Sequence, residues 1–134
     1  MTATVHVSAA VVVDDAGRAL VVRKHGATVF QQPGGKPDPG ETALDAVVRE
    51  VAEETGIVAD RAAFEPLGRF TDAAANEPGH LVVADAYVLR VAAGSGTAIP
   101  AAEIAELRWI GEHEVEATPL APLSRNQLIR YAWR

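Results

Sequence analysis

The chain has 134 residues and a mass of 14.1 kDa, enough for one compact domain, over residues 1–134, with its own core. Hydrophobic residues make up 49% and charged residues 22%, which excludes a disordered chain, a collagen-like repeat and a coiled coil. Eighteen acids against twelve bases leave a net charge of −6, and only two of those bases are lysines. Such a surface repels phosphate backbones and argues against a stable nucleic-acid partner. There is no cysteine, so disulfides, thiolate zinc sites and a thiol nucleophile are excluded, and the reading leans towards a cytoplasmic protein. The apolar run at 9–13 has no base before it and is too short for a signal-peptide core or a membrane span, which predicts a soluble, unprocessed chain with no membrane partner.

In chain order, the valine-rich stretch 4–13 predicts a strand, closed by the Asp14-Asp15-Ala16-Gly17 turn, and Arg18–Lys24 returns as a second strand. Residues 25–40 are dominated by glycine and proline and predict a shaped loop, with a short strand at 29–31. Residues 41–55 predict a helix: Leu44, Val47, Val48 and Val51 form one apolar stripe, Glu41 puts negative charge in the first turn, and Gly56 stands at the C-terminus. Strands follow at 64–74 and 81–91, joined by the turn-forming Asn76-Glu77-Pro78-Gly79, then a strand at 106–110 and a short helical turn at 111–116. A last helix is expected at 124–133, opened by Ser124 as cap. The order β-β-α-β-β-β-α implies an α/β fold, a mixed sheet sandwiched between helices. Trp109, Trp133, Phe64 and Phe70 are read as core.

The segment 35–57, GKPDPGETALDAVVREVAEETGI, carries the chemistry. It matches G-x5-E-x7-R-E-U-x-E-E-x-G-U, with U an aliphatic residue, at Gly35, Glu41, Arg49, Glu50, Val51, Glu53, Glu54, Gly56 and Ile57. On a helix, Glu50, Glu53 and Glu54 cluster on one flank of the apolar stripe. Carboxylates at that spacing repel one another, and lying beyond the first turn they gain nothing from the helix dipole. A hard divalent cation relieves the repulsion: Mg2+ takes oxygen ligands, keeps several waters and favours sites shared with phosphates. Gly34 and Gly35 carry no side chain to keep the backbone away from such an ion. Taken alone, Glu53-Glu54 would be an ordinary solvated acidic face; within the whole pattern the metal site is the stronger reading.

This pattern, with Pro33-Gly34-Gly35 before it, resembles the Nudix box, and the strand order extends the resemblance loosely over most of the chain. The resemblance implies a Nudix-like α/β/α sandwich and a hydrolase of MutT type that uses Mg2+ or Mn2+ to cleave a nucleoside diphosphate derivative. It implies Glu50, Glu53, Glu54 and the Gly34 carbonyl as metal ligands and Gly35 beside the substrate. Direct attack of water on phosphorus then has Glu53 or Glu103 as proton acceptor; Glu103, six residues before Trp109, matches an acidic position of MutT-like relatives. Arg49 is read as an orienter that holds Glu41 or a cluster carboxylate. Strand alternation sends one of Arg23 and Lys24 towards a phosphate, and the resemblance favours Arg23. Glu77 and His80 are assigned to a hairpin turn. Gln31 and Gln32 stand where relatives more usually have an apolar residue, and near a nucleotide they could read a base edge.

A nucleoside triphosphate or a damaged form of one is the expected substrate, because the downstream proline of ADP-ribose-cleaving relatives and the tyrosine of dinucleoside-polyphosphate hydrolases have no clear counterpart. ADP-ribose or a nucleotide sugar is the alternative substrate. A nucleotide-binding sensor without activity is the alternative of another class, disfavoured by the intact box. A homodimer is compatible with so small an enzyme, although no residue argues for it.

Overall fold

The computed structural model describes residues 3–75, 77–96, 100 and 103–134. Its sheet contains β1 (Ala3–Asp14), β2 (Arg18–Lys24), β3 (Gly34–Gly35), β4 (Phe64–Ala73), β5 (His80–Val91) and β6 (Ile104–Gly111). The strand order is β4-β5-β1-β2-β6, with β3 pairing to β1. β1 and β5 run parallel, in register from Ala3 opposite His80 to Asp14 opposite Val91, and the other pairs are antiparallel. The sheet is therefore mixed, as the sequence predicts.

Period-two alternation divides the core between the two faces. Ala10, Val12 and Leu20 pack against Val47 and Val51 of α1 (Ala43–Thr55). Ala9, Val11, Val13 and Val21 point the other way, to Leu120, Leu123, Leu128 and Ile129 of the C-terminal segment. Phe64 joins the α1-side core, Trp109 packs half-buried against it, and Phe70 and Trp133 pack against the other core. The Trp133 indole also donates to the Gly17 carbonyl at 2.8 Å.

The helix starts later than its charge pattern suggests. Thr42 is its cap, accepting the Asp45 N–H at 3.1 Å while the Asp45 carboxylate accepts the Thr42 N–H at 3.2 Å. Glu41 thus lies outside the first turn. The C-terminus closes on Gly56 at φ 76°, with its N–H on the Ala52 carbonyl. In the preceding loop the expected strand at 29–31 is reduced to single bridges, Gln31 to Val22 and Phe30 to Leu120. The ladder forms instead at Gly34–Gly35, where a Cβ on Gly34 would stand 2.0 Å from the Ser8 carbonyl oxygen, so only glycine lets the loop approach β1.

The C-terminal helix expectation is corrected. Leu123 is already helical, so Ser124 is no cap; a wide π turn spans Ser124–Leu128 and a 3-10 turn follows over Ile129–Trp133. The segment is clamped to β4 by Gln127, which donates to the Thr71 carbonyl at 2.7 Å, and by Asn126, which donates to Asp72 at 3.0 Å. A short 3-10 turn at Glu112–Glu114 meets the expectation at 111–116. In the β4–β5 turn the His80 N–H bonds the Glu77 carbonyl, while Asn76 lies outside the described residues.

Replacing Leu20, 2% exposed in the α1-side core, by alanine is expected to cost about 2–5 kcal/mol, and removing the cap with Thr42→Ala about 1 kcal/mol. Urea denaturation of the two variants checks the ranking; equal midpoints would contradict the assignment of the core.

Candidate functional site

The apolar stripe that seats α1 on the sheet also turns Glu54 inward, and this carboxylate is only 5% exposed. Its Oε1 accepts the Gly34 N–H at 3.1 Å. Burial, reinforced by the Glu50 carboxylate alongside, pushes Glu54 up to about 8, against the opposing pull of the Gly34 N–H and the Lys24 charge. Glu50 lies one helical turn away, and a Cβ on Gly35 would come within 2.7 Å of its carboxylate. β3 therefore fits around this pair of acids only because it is made of glycine.

Arg49 organises the exposed side of the cluster. Its Nε and one terminal nitrogen grip Glu41 with two bonds of 2.8 Å, and its other terminal nitrogen reaches Glu50 at 2.9 Å and Glu53 at 3.3 Å. The grip, together with the Asp38 N–H, holds the Glu41 carboxyl down to about 2. Arg49 also donates to the Lys36 carbonyl at 3.4 Å, so one guanidinium links the glycine-rich loop, the residue before the cap and the helix.

Glu50 and Glu54 open into a cleft of about 350 Å3. Gly34, Gly35, Glu103, Lys24, Gln31 and Gln32 line it too, so of the residues singled out from the sequence the structure brings these together with Glu50 and Glu54. Glu53 does not line the cleft: its side chain is 53% exposed and rests on Arg49. Arg23 is not among the residues that line it. Arg23 shares the parity of Val21 and faces away from α1, with its guanidinium on the Ala27 carbonyl at 3.2 Å and near Glu106 at 3.5 Å. Lys24 shares the parity of Leu20, lines the cleft and acts on Glu54.

Sequence reasoning passed over several groups. Lys36 lines the cleft with Lys24, so both lysines of the chain converge there, a signal readable from composition and position. Glu77, assigned to a turn, lines the cleft because the β4–β5 hairpin end reaches it; His80 instead bonds the Pro78 carbonyl through Nδ1. Leu123, Ser124 and Leu128 form part of the wall, which no linear pattern connects to the glutamates.

Among the described residues no three His, Cys, Asp or Glu side chains are arranged to hold an ion. The donor set suits a hard divalent cation nonetheless. Such an ion is commonly bound through one or two carboxylates and keeps waters for its other positions. Glu54 is pressed against the Glu50 carboxylate at a place where burial and that neighbour disfavour the Glu54 charge, and a cation would remove that cost.

A model of the NUDIX domain family matches residues 4–131. A relative in Mycobacterium tuberculosis named putative 8-oxo-dGTP diphosphatase 3 is 36% identical over 94 residues, covering 67% of this chain and 41% of that protein. One in Bacillus subtilis named putative 8-oxo-dGTP diphosphatase is 41% identical over 46 residues, covering 34% of this chain and 31% of that protein. The chain thus spans well under half the length of these curated relatives. Among solved structures, the NUDIX domain of Shewanella oneidensis NrtR in complex with ADP ribose superposes with a TM-score of 0.77 at 23% identity, over 98% of this chain and 88% of that one. A MutT protein from Methanosarcina mazei gives 0.74 at 20%, over 98% and 94%. These likenesses show a common fold, and with the family match over nearly the whole length they establish that the chain belongs to the Nudix family.

Proposed function

We propose that this chain hydrolyses a phosphoanhydride bond in a nucleoside triphosphate or a damaged form of one, with Mg2+ or Mn2+ bound at Glu50 and Glu54. The observation that carries the reading is the buried Glu54 beside Glu50, facing a cleft at the glycine loop. The names of the curated relatives support the substrate class. A divalent ion at this place would offset the charge on the bridging oxygens and lower the pKa of a bound water.

The chain's own groups divide the remaining work. Glu50 and Glu54 would hold the ion, with the Gly34 carbonyl and Glu53 as candidate further ligands. Gly35 leaves room for a phosphate beside them. Lys24 and Lys36 bring positive charge to the phosphates, the role that the family resemblance gives to Arg23. Arg49 and Glu41 fix the orientation of Glu50. Glu103 takes the proton from the attacking water, a role its place in the cleft supports over the outward-facing Glu53.

Incubation of the purified protein with (d)NTPs, 8-oxo-dGTP, ADP-ribose and nucleotide sugars, with Mg2+ and again with EDTA, tests this reading. Pyrophosphate release from a triphosphate, abolished by EDTA, is expected. AMP from ADP-ribose would replace the substrate class, and metal-dependent binding without product would replace the enzyme with a sensor. Glu54→Gln is expected to lower turnover by several orders of magnitude, and Glu103→Gln by about 10²–10⁴-fold. Wild-type rates in both variants would sink the mechanism.

The metal-free protein carries a pH signature. Folded Glu54 keeps its proton to about pH 8, whereas the unfolded chain loses it near the ordinary 4.5. Between those values the folded state binds the extra proton, so this group's stabilisation is present at low pH and lost as the pH rises to 8. In EDTA the Tm is expected to fall from pH 5 to pH 8, and Glu54→Gln, whose side chain is neutral throughout, is expected to flatten the fall. Parallel profiles for the two proteins would contradict the burial of this acid.

A further inference from the structure

The cleft has a second end that the phosphate chemistry does not use. Gln32 is 5% exposed, lines the cleft, and among the described residues no hydrogen bond reaches its side-chain amide. The amide is open to the cleft rather than sealed from it, so its donor and acceptor are available to a ligand bound there. Its place in the fold says which part of a ligand. Residues 30–31 are extended, so Gln32 shares the side of Phe30, which packs with Leu120 and Leu123 on the face opposite α1. Phe30 also exchanges backbone bonds with the C-terminal segment, donating to the Pro119 carbonyl and accepting from the Ala121 N–H, both at 2.8 Å. That pairing puts Gln32 in one wall with Leu123 and with Ser124, a buried side chain whose hydroxyl has no partner.

The wall differs from the phosphate end in kind. Val7, Ala9, Leu123 and Leu128 supply uncharged, aliphatic surface, and no aromatic side chain is among the described residues that line the cleft. A base held there is not selected by stacking and must be read along its edge. An amide offers one N–H donor and one C=O acceptor side by side and can turn over to suit its partner. It is therefore matched by an edge with a donor and an acceptor in adjacent positions. Adenine has one in N6–H and N7. Guanine oxidised at C8 has another, because N7 then carries hydrogen beside O6. Unmodified guanine presents two acceptors at N7 and O6 and leaves the amide carbonyl without a partner.

We infer that the Gln32 amide is the base-reading group of this cleft, selecting a purine edge with an adjacent donor and acceptor over unmodified guanine. The inference rests on the proposed function only in taking a nucleotide as the occupant. Binding of dAMP, dGMP and 8-oxo-dGMP, measured by calorimetry with Mg2+, tests it without requiring turnover. The wild-type protein is expected to bind dAMP or 8-oxo-dGMP about tenfold to a hundredfold more tightly than dGMP, the range one two-bond contact supplies. Gln32→Met, similar in length and apolar, is expected to collapse that ratio towards one. Gln32→Glu, nearly isosteric and acceptor-only when ionised, is expected to weaken the preferred nucleotide as well, and thermal melts of both variants verify the fold. AMP and dAMP serve as the ribose control. An unchanged base ratio in a folded Gln32→Met protein overturns the inference, as does a change confined to the ratio of AMP to dAMP. Neither result touches hydrolysis: triphosphate turnover with an unchanged base ratio removes the role of Gln32 alone, whereas altered base binding without turnover removes the hydrolase reading alone.

Discussion

The site depends on a carboxylate that the helix carries out of water. Glu54 falls on the buried flank of α1, where desolvation disfavours its charge and Glu50, one turn back, disfavours it further. The fold supplies a partial answer in the Gly34 N–H, and that bond exists only because a residue without a side chain reaches β1 at this point. Loop, strand and helix thereby constrain one another: α1 cannot seat its apolar stripe without bringing Glu54 to the loop, and the loop cannot receive Glu54 with a Cβ at Gly34. What remains is either a proton or a cation on the pair of acids. The same arrangement that strains the metal-free protein makes the place selective for positive charge.

Sheet parity then gives the cleft two unlike ends. Even positions of β1 and β2 face α1, and Lys24 follows Leu20 towards the acids; odd positions face the C-terminal segment. The glycine loop crosses from one regime to the other within a few residues, from Gln32 in the neutral wall to Gly34 and Gly35 beside Glu54 and Glu50. A ligand with a charged tail and an uncharged, hydrogen-bonding head suits such a crossing. The clamp of Gln127 and Asn126 onto β4 steadies the neutral wall from behind.

Local patterns in the sequence carried the sheet strands, α1 and the box, because periodicity and turn chemistry act over a few residues. Val47 and Val51 announce a buried stripe by their spacing alone, and Gly56 announces the helix end. The misreadings arose where a tertiary contact decides between local choices. Glu41 looks like first-turn charge, but the Thr42–Asp45 box is the better cap and Arg49 claims Glu41. Ser124 looks like a cap, yet the chain before it is already helical and the serine is buried. Arg23 and Lys24 could be separated only by knowing which face of β2 meets α1. The wall formed by Leu123, Ser124 and Gln32 joins residues about ninety positions apart, beyond the reach of any linear motif.

The charge balance of the cleft bears on how a polyanion enters it. Four carboxylates line it, from Glu50, Glu54, Glu77 and Glu103, against the ammonium groups of Lys24 and Lys36. A triphosphate brought into that field without cations meets net repulsion, which the overall charge of −6 does nothing to relieve. Protonation of Glu54 removes one negative charge, and a divalent cation held at Glu50 and Glu54 would reverse the sign there. On the proposed function, acidic lining and phosphate ligand would be compatible on one condition, that cation and nucleotide bind together. Under the proposed function the few lysines of the chain have a consistent place: a wholly basic cleft would hold the phosphates without an ion, whereas this lining would make the ion a requirement for entry.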